Sequence, residues 1–425
     1  MQRRDFLKTL SLGSCAALSG CALAKLSRVD PMSVYIRSDV ITSPEIERQI
    51  LAKAKVGWTA DGKIRVLLLS GTPYERGYQH GALLRREVDE NFNYLYDQVL
   101  DKFHFQELFF EAFERARPYI PQQYCEEMQG LAHGSKLPLS LIQHIHILGE
   151  IGEWGGKKHI KNVVKAMMDD QLEELSKMGQ TCSNMCAFGP AVKDDAFYTV
   201  RILDWGLHRV SKLHQFPLIA VHKPDHGAAF ANIGWIGYIG AISGMNEHGI
   251  TLGEMGYGDR PEETLHGEPM PFLLRDILQD AKNLADVRRI ISTSPGTNRY
   301  VYLMSDGKTR TAELYIRDKS RFLVFKPGEA LKDEKNDLAP IKDVVYGGHY
   351  NSKMTELINA NYGKIDPQML MKDIIPQIAM PSNFQNVIYD PVHLKFWVAN
   401  AAGPQERAAE QPYTFFDLSS ALEKF

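Results

Sequence analysis

The chain has 425 residues, 44% hydrophobic and 24% charged, with a formal net charge of -3. That composition belongs to a globular protein with ample core, and the balance excludes the basic face that a nucleic-acid partner requires. No apolar run reaches the 18 residues of a transmembrane helix.

Residues 1–25 read as a targeting segment rather than as part of a fold. Arg3-Arg4-Asp5-Phe6-Leu7-Lys8 sets two arginines before an aromatic residue and a leucine, the pattern of a twin-arginine (Tat) export signal. The apolar run 10–18 then ends in Leu18-Ser19-Gly20-Cys21, which resembles a bacterial lipobox. These features predict a periplasmic or cell-envelope lipoprotein of a bacterium, exported by the Tat machinery and held to the membrane by a lipid on Cys21. The plainer alternative is a signal cleaved among the small residues 22–24. Cys15 and Cys21 then belong to the signal, leaving Cys125, Cys182 and Cys186, an odd number that argues against a disulfide framework.

Residues 26–60 are a polar lead-in, irregular or helical. A short buried strand follows at 66–69 and runs into Gly71-Thr72-Pro73-Tyr74-Glu75-Arg76-Gly77-Tyr78-Gln79-His80-Gly81, which opens a helical pattern to about residue 103. Pro73 suits the first helical turn. Gly77 and Gly81 each cost about 1 kcal/mol relative to Ala inside a helix, so they imply close helix packing. Helical periodicity continues at 105–116, 121–133 and 138–148, and an amphipathic surface helix is expected at 158–178. His144 and His146 read as structural.

From residue 182 the pattern changes to strands. Runs 185–188 and 196–203 flank the turn-prone Lys193-Asp194-Asp195 and read as a β-hairpin. Further strands are expected at 216–222, 228–235, 237–243 and 249–255, the last two around Gly244-Met245-Asn246-Glu247-His248-Gly249. Helices at 271–281 and 284–292 precede strands at 300–305, 310–315, 321–325 and 343–350. A helix at 367–374 leads to a closing hairpin, 384–389 and 394–400. Strand runs interrupted by helix pairs predict an α+β fold of two stacked antiparallel sheets covered by helices.

The hairpin places Cys182 at the entry of its first strand, with Arg201 and Asp204 at the far end of the second. A thiol, a cation and a carboxylate are thereby brought together. A free thiol has a pKa of ~8.5 and is mostly protonated at neutral pH, whereas the thiolate is the nucleophile. Cutting the Thr181–Cys182 bond would give Cys182 an α-amine of pKa roughly 7.7–8.0, a base for its own thiol. Arg201 would favour the thiolate and Asp204 would orient the α-ammonium. The plain alternatives are a small buried cysteine and a surface ion pair worth under ~1 kcal/mol. A metal clip of Cys182 and Cys186 lacks a second pair, and no metal or organic cofactor is implied.

The motifs Gly71–Gly81, Glu127-x-x-Gly130-x-Ala132-x-Gly134, Cys182-Ser183, Arg201-x-x-Asp204-Trp205, Gly244-Met245-Asn246-Glu247-x-Gly249 and Asn386-x-x-x-Asp390-Pro391 occur in one order across the chain. In this the chain resembles the acyl-coenzyme A:6-aminopenicillanic acid acyltransferase-like family of cysteine peptidases, a branch of the N-terminal-nucleophile (Ntn) hydrolases. More distantly it is similar to choloylglycine hydrolases and acid ceramidases. The resemblance implies an αββα sandwich with 26–181 and 182–425 as the two chains of one self-cleaved domain, and a small-molecule acyl substrate. It implies Cys182 as nucleophile, Arg201 and Asp204 as its activating and orienting partners, and Asn298, in Gly296-Thr297-Asn298, as an oxyanion donor. Two departures stand out. Choloylglycine-type relatives carry an Asn donor where this chain has Gly253-Glu254-Met255-Gly256, and Thr181 precedes the nucleophile where some members have Gly. The expected activity is hydrolysis or acyl transfer at an amide bond; the alternatives are a phospholipase B-like esterase with the same nucleophile and a non-catalytic lipid-anchored binding protein.

Overall fold

Helix α1 (Pro44–Ala52) is the first described element of the computed structural model, which describes residues 41, 43–96, 106–150, 182–209, 211–256, 265–332, 337–348 and 350–425. The export signal, Cys21, the expected helix at 158–178 and Thr181 lie outside the described residues. The polar lead-in contains α1, capped by the Ser43 hydroxyl accepting from the Ile46 amide, and a strand that the sequence reading missed, β1 (Lys55–Trp58).

Strand β2 (Arg65–Gly71) runs into α2 (Pro73–Leu83), which starts with a reciprocal cap. The Thr72 hydroxyl accepts from the Glu75 amide while the Glu75 carboxylate accepts from the Thr72 amide. The long helix expected to 103 breaks at Leu84 into α2 and α3 (Arg85–Leu95). Helices α4 (Gln106–Ala116), α5 (Gln122–Ser135) and α6 (Leu139–His146) follow. The hairpin is β3 (Ser183–Phe188) and β4 (Phe197–Asp204), succeeded by β5 (Pro217–Pro224), β6 (Phe230–Trp235), β7 (Gly244–Asn246), β8 (Ile250–Thr251) and β9 (Glu254–Gly256). Helices α7 (Met270–Asp280) and α8 (Leu284–Thr293) lead to β10 (Tyr300–Asp306), β11 (Thr311–Arg317) and β12 (Phe322–Phe325). A small pair, β13 (Leu331–Lys332) and β14 (Asp337–Leu338), precedes β15 (Val344–Gly348), helix α9 (Asn351–Ala360) and the helical run α10 (367–378). The chain closes with β16 (Asn383–Asp390), β17 (Lys395–Asn400), β18 (Thr414–Asp417) and α11 (Leu418–Leu422).

The strands form two main sheets. The first has the order β1-β2-β5-β6-β7-β8-β10-β11-β12, with β9 also on β10; the second has the order β15-β3-β4-β16-β17-β18. Alternation along the strands sorts side chains into layers. Leu68, Ile219, Val221 and Ile233 of the first sheet pack with Val387, Tyr389, Phe396 and Val398 of the second. Tyr300, Tyr302 and Met304, on the opposite face of the first sheet, pack on α7 and α8. Met185, Ala187, Val200 and Ile202 turn away from the first sheet onto α9 and α10. The result is an α+β sandwich of helix, sheet, sheet and helix. One pair departs from the antiparallel expectation: β2 runs parallel to β5, in register from Arg65↔Leu218 to Gly71↔Pro224. The long crossover between them contains helices α2–α6, which suits a parallel pair.

Helices α2 and α5 sit backbone to backbone. A methyl group added at Gly77 would lie 1.9 Å from the Glu127 carbonyl oxygen, and one at Gly130 would lie 2.1 Å from that of Tyr74. The helix glycines of both motifs are therefore contact surfaces. Gly130→Ala should lower the thermal midpoint by several degrees or prevent folding, since one of two backbones must move. Gly57→Ala, on an open strand surface with nothing within 4 Å, should change it little; equal effects in thermal denaturation would overturn this reading.

The expected strand at 237–243 is instead a loop, in which two amides are bound by side chains and those of Tyr238 and Ala241 by the Trp235 and Pro271 carbonyls. Gly237 N–H donates to His80 Nε2 at 2.9 Å and Ile239 N–H donates to His146 Nε2 at 2.9 Å. Both rings must be neutral to accept, and burial pulls each down to about 4. The unfolded chain takes up these protons near 6.5, before the folded chain does, so each ring withdraws stability as pH falls from 6.5 towards 4. The limit is on the order of 3 kcal/mol per ring. In urea melts at pH 7 and pH 5, His80→Gln, which keeps an acceptor but binds no proton, should lose less stability on acidification than wild type.

Candidate active site

Cys182 stands just before β3, buried at the mouth of the hairpin. The register Ser183↔Ile202 and Asn184↔Arg201 brings the end of β4 back beside it. Arg201 lies on the inward face of β4, between Thr199 and Leu203, and is fully buried. Its guanidinium donates to the Ile202 carbonyl at 2.8 Å and pairs with Glu254 Oε2 at 3.1 Å, and its charge acts on the neighbouring Cys182 thiol. Glu254 belongs to β9 in the other sheet, so the pair bridges the two layers.

Glu254 occupies the stretch in which the sequence reading found only a missing Asn donor. The available signal was a carboxylate between glycines and apolar residues in a strand, where an ordinary buried position would be apolar. Asn184 secures the same stretch by donating to the Glu254 carbonyl at 3.2 Å. A side chain at Gly253 would meet Asn184 Oδ1 at 2.7 Å. That approach requires a glycine before Glu254.

Asp204 is held separately from Arg201's ion pair. Its Oδ1 accepts from Asn383 Nδ2 at 2.9 Å and from the Met380 amide at 3.2 Å, while Oδ2 has no partner among the described residues. Asn383, which the sequence reading did not single out, is itself fixed by the Ala409 amide donating to its Oδ1 at 2.8 Å.

Asn298 lies in a different set of contacts. Its Nδ2 donates to Glu150 Oε2 at 2.8 Å and approaches the Glu150 carbonyl at 3.3 Å. The Glu150 carboxylate also accepts from Thr297 Oγ1 at 2.6 Å and from the Met270 amide at 2.7 Å. In this state the Asn298 amide is occupied by Glu150. Cys186 is buried on the Thr199 hydroxyl, and Cys125 is half-buried; all three described cysteines are free thiols. Among the described residues no group of three or more His, Cys, Asp or Glu side chains is placed to hold a metal ion, and no helix is long and apolar enough to cross a membrane.

Burial dominates the electrostatics. It pushes the Cys182 thiol up to about 12 against the pull of Arg201, with Glu254 and Asp204 adding to the rise. It raises Asp204 to about 7 against its hydrogen bonds from Asn383 and Met380. Burial would lower Arg201, but Cys182 and Glu254 outweigh it and hold the cation. Glu254→Gln removes an anion that opposes thiolate formation, so the thiol should titrate at lower pH in the variant. Alkylation of Cys182 by iodoacetamide, followed against pH by peptide mapping, should rise at lower pH than in wild type. An unchanged or upward-shifted profile would show that Glu254 does not act on the sulfur.

No family model matches the chain. Among curated proteins it is 23% identical to protein dcd1A of Dictyostelium discoideum over 350 residues, 73% of each chain. It is 25% identical to protein dcd1B of the same organism over 350 residues, 73% of this chain and 62% of that one. An uncharacterized protein of Archaeoglobus fulgidus is 25% identical over 265 residues, 60% of this chain and 43% of its own length. Among solved structures, a Caenorhabditis elegans ortholog of N-acylethanolamine-hydrolyzing acid amidase aligns with a TM-score of 0.40 and 11% identity, covering 50% of this chain and 93% of that one. A mutant conjugated bile acid hydrolase from Clostridium perfringens gives 0.36 and 12%, covering 56% and 93%. Penicillin V acylase from Agrobacterium tumefaciens gives 0.33 and 11%, covering 56% and 86%. Likeness at these scores is too low for function to carry over.

Proposed function

We propose that the chain is a self-processing hydrolase or acyltransferase of N-acyl (amide) bonds, with Cys182 as its nucleophile. The observation that carries this reading is a buried cation acting on a buried cysteine thiol, with a buried carboxylate nearby whose Oδ2 has no partner among the described residues. A packing cysteine needs neither. Arg201 offers charge and a planar fork to the sulfur, and Asp204 Oδ2 offers an acceptor where an α-ammonium on Cys182 would stand.

Processing would begin with the Cys182 sulfur attacking the Thr181 carbonyl carbon. The acyl group passes from nitrogen to sulfur, and water then hydrolyses the thioester to a Thr181 carboxylate and a free Cys182 with thiol and amine. In turnover the amine takes the thiol proton. The thiolate adds to the substrate carbonyl, and the proton passes to the departing amine as the C–N bond breaks. Water or an acceptor amine then resolves the acyl-thioester. Asn298 could serve the oxyanion only after its amide exchanges Glu150 for substrate.

The test is one chain against two. Wild-type protein should give two fragments on a denaturing gel, with the sequence of the larger one starting at Cys182. Cys182→Ala should stay intact and inactive, and Cys186→Ala should cleave and turn over. Arg201→Lys should fold yet lose most turnover of N-acyl amides. A wild-type chain that is active while uncut before Cys182 would overturn the amine-as-base mechanism.

A further inference from the structure

Asp204 ends β4, and the neighbouring strand β16 is irregular where the two meet. The pairing Gln385↔Leu203, continued regularly, would set Phe384 opposite Asp204, but a bulge in β16 sets Asn383 there instead. A bulge adds one residue and re-aims the side chains around it. Here Phe384 fills the apolar cluster, stacked on Trp235 at 4.4 Å between ring centres. Asn383 is left facing the carboxylate, and both residues are fully buried.

The orientation of the Asn383 amide is set from behind. Its Oδ1 accepts from the Ala409 amide at 2.8 Å, a backbone donor in the turn 408–410, so the Nδ2 end is the one presented to Asp204. Nδ2 donates to Asp204 Oδ1 at 2.9 Å, and the Met380 amide donates to the same oxygen at 3.2 Å. With Oδ1 doubly engaged the carboxylate is held in one orientation, and Oδ2 has no partner among the described residues. The charges facing Asp204 are Arg201, from its own strand, and Arg407, from the segment after β17; Cys182 is the neighbouring titratable group. Both arginines and both hydrogen bonds favour the carboxylate, while burial opposes it.

We propose that Asn383 is a positioning residue of the site, holding one Asp204 oxygen so that the other, Oδ2, is the acceptor for the α-ammonium of a processed Cys182. In this role it acts through Asp204 alone. In turnover the amine takes the thiol proton and the resulting ammonium donates to Oδ2, with no proton passing to the carboxylate. Asp204 must therefore be ionised for the step. A neutral carboxyl would offer its own O–H to the amine and compete with the thiol. Asn383 donates more strongly to the anion than to the acid, so it extends downward the pH range over which Asp204 is ionised.

The inference rests on the proposed amide-bond chemistry, and two measurements keep them apart. The first is the pH profile of octanoyl para-nitroanilide turnover by wild type and by Asn383→Ala. The acid limb of kcat should move up by about one pH unit in the variant, about a tenfold loss on that limb that alkaline pH recovers, with KM little changed. Met380→Pro, at a half-buried position just before Pro381, deletes the second donor and should move the limb in the same direction. It carries the test if Asn383→Ala does not fold. The second measurement needs no turnover. The Asp204 carboxyl is titrated by NMR of isotope-labelled aspartate side chains in full-chain Cys182→Ala, its signal assigned by its loss in Asp204→Asn. Its midpoint should rise when Asn383→Ala or Met380→Pro is added. A rise without wild-type turnover would keep the hold of Asn383 on Asp204 and overturn the hydrolase reading. An unmoved midpoint, or a moved midpoint with turnover lost equally at every pH, would overturn the role of Asn383.

Discussion

The ion pair of Arg201 with Glu254 sets the geometry of the site. Each residue comes from a different sheet and neither is exposed. Breaking such a pair by removing one partner costs about 3–5 kcal/mol, whereas replacing both by apolar groups is often neutral. Stability alone therefore does not account for it. What the pair supplies is placement: the cation is anchored by a carboxylate from the first sheet while it donates to the Ile202 carbonyl of the second and acts on the Cys182 thiol. The sheets cannot shift against one another without moving the guanidinium relative to the Cys182 thiol.

A second buried charge cluster joins the N-terminal helices to the first sheet's helix layer. Glu127 of α5 receives Arg275 at 2.9 Å and Arg76 at 3.4 Å. Burial would raise its carboxyl, but the two arginines outweigh that and hold it ionised. Arg275 also donates to the Ile239 carbonyl. The loop at 237–239 is thus gripped by His80, His146 and Arg275. The close α2–α5 contact lets this grip form, because His80 and Glu127 can converge only if the two backbones touch.

Local pattern made the hairpin legible. Two apolar runs around Lys193-Asp194-Asp195 place Cys182, Arg201 and Asp204 at one end of one element, and the sheet's register keeps them there. The partners that govern those residues were less visible, since they come from other elements. Glu254 arrives on a three-residue strand 53 positions beyond Arg201, and Asn383 reaches Asp204 from 179 positions away. The β2–β5 pairing was hidden for the same reason: nothing in the run 66–69 states whether its neighbour is parallel. The loop at 237–243 reads as a strand because its residues are apolar, while two histidines distant in sequence take the Gly237 and Ile239 amides. The capped helices, by contrast, carry their own signals, as Thr72-Pro73 with Glu75 does for α2.

Burial explains both the silence and the capacity of this site. In the chain as it stands, the Cys182 thiol lies far above neutral pH and Asp204 sits close to it, so the site holds one firm cation and few ready anions. The proposed cut would place an amine of ordinary pKa roughly 7.7–8.0 within the same pocket. Its ammonium form would pull down both neighbouring acids by the same low-dielectric coupling that now lets Glu254 raise the thiol. The interior that keeps the uncut thiol protonated would thus make a thiolate, an ammonium and the Asp204 carboxylate mutually stabilising once they exist together. Under that reading a change of one covalent bond suffices to switch the chemistry, with the sheets and the Arg201 anchor left in place.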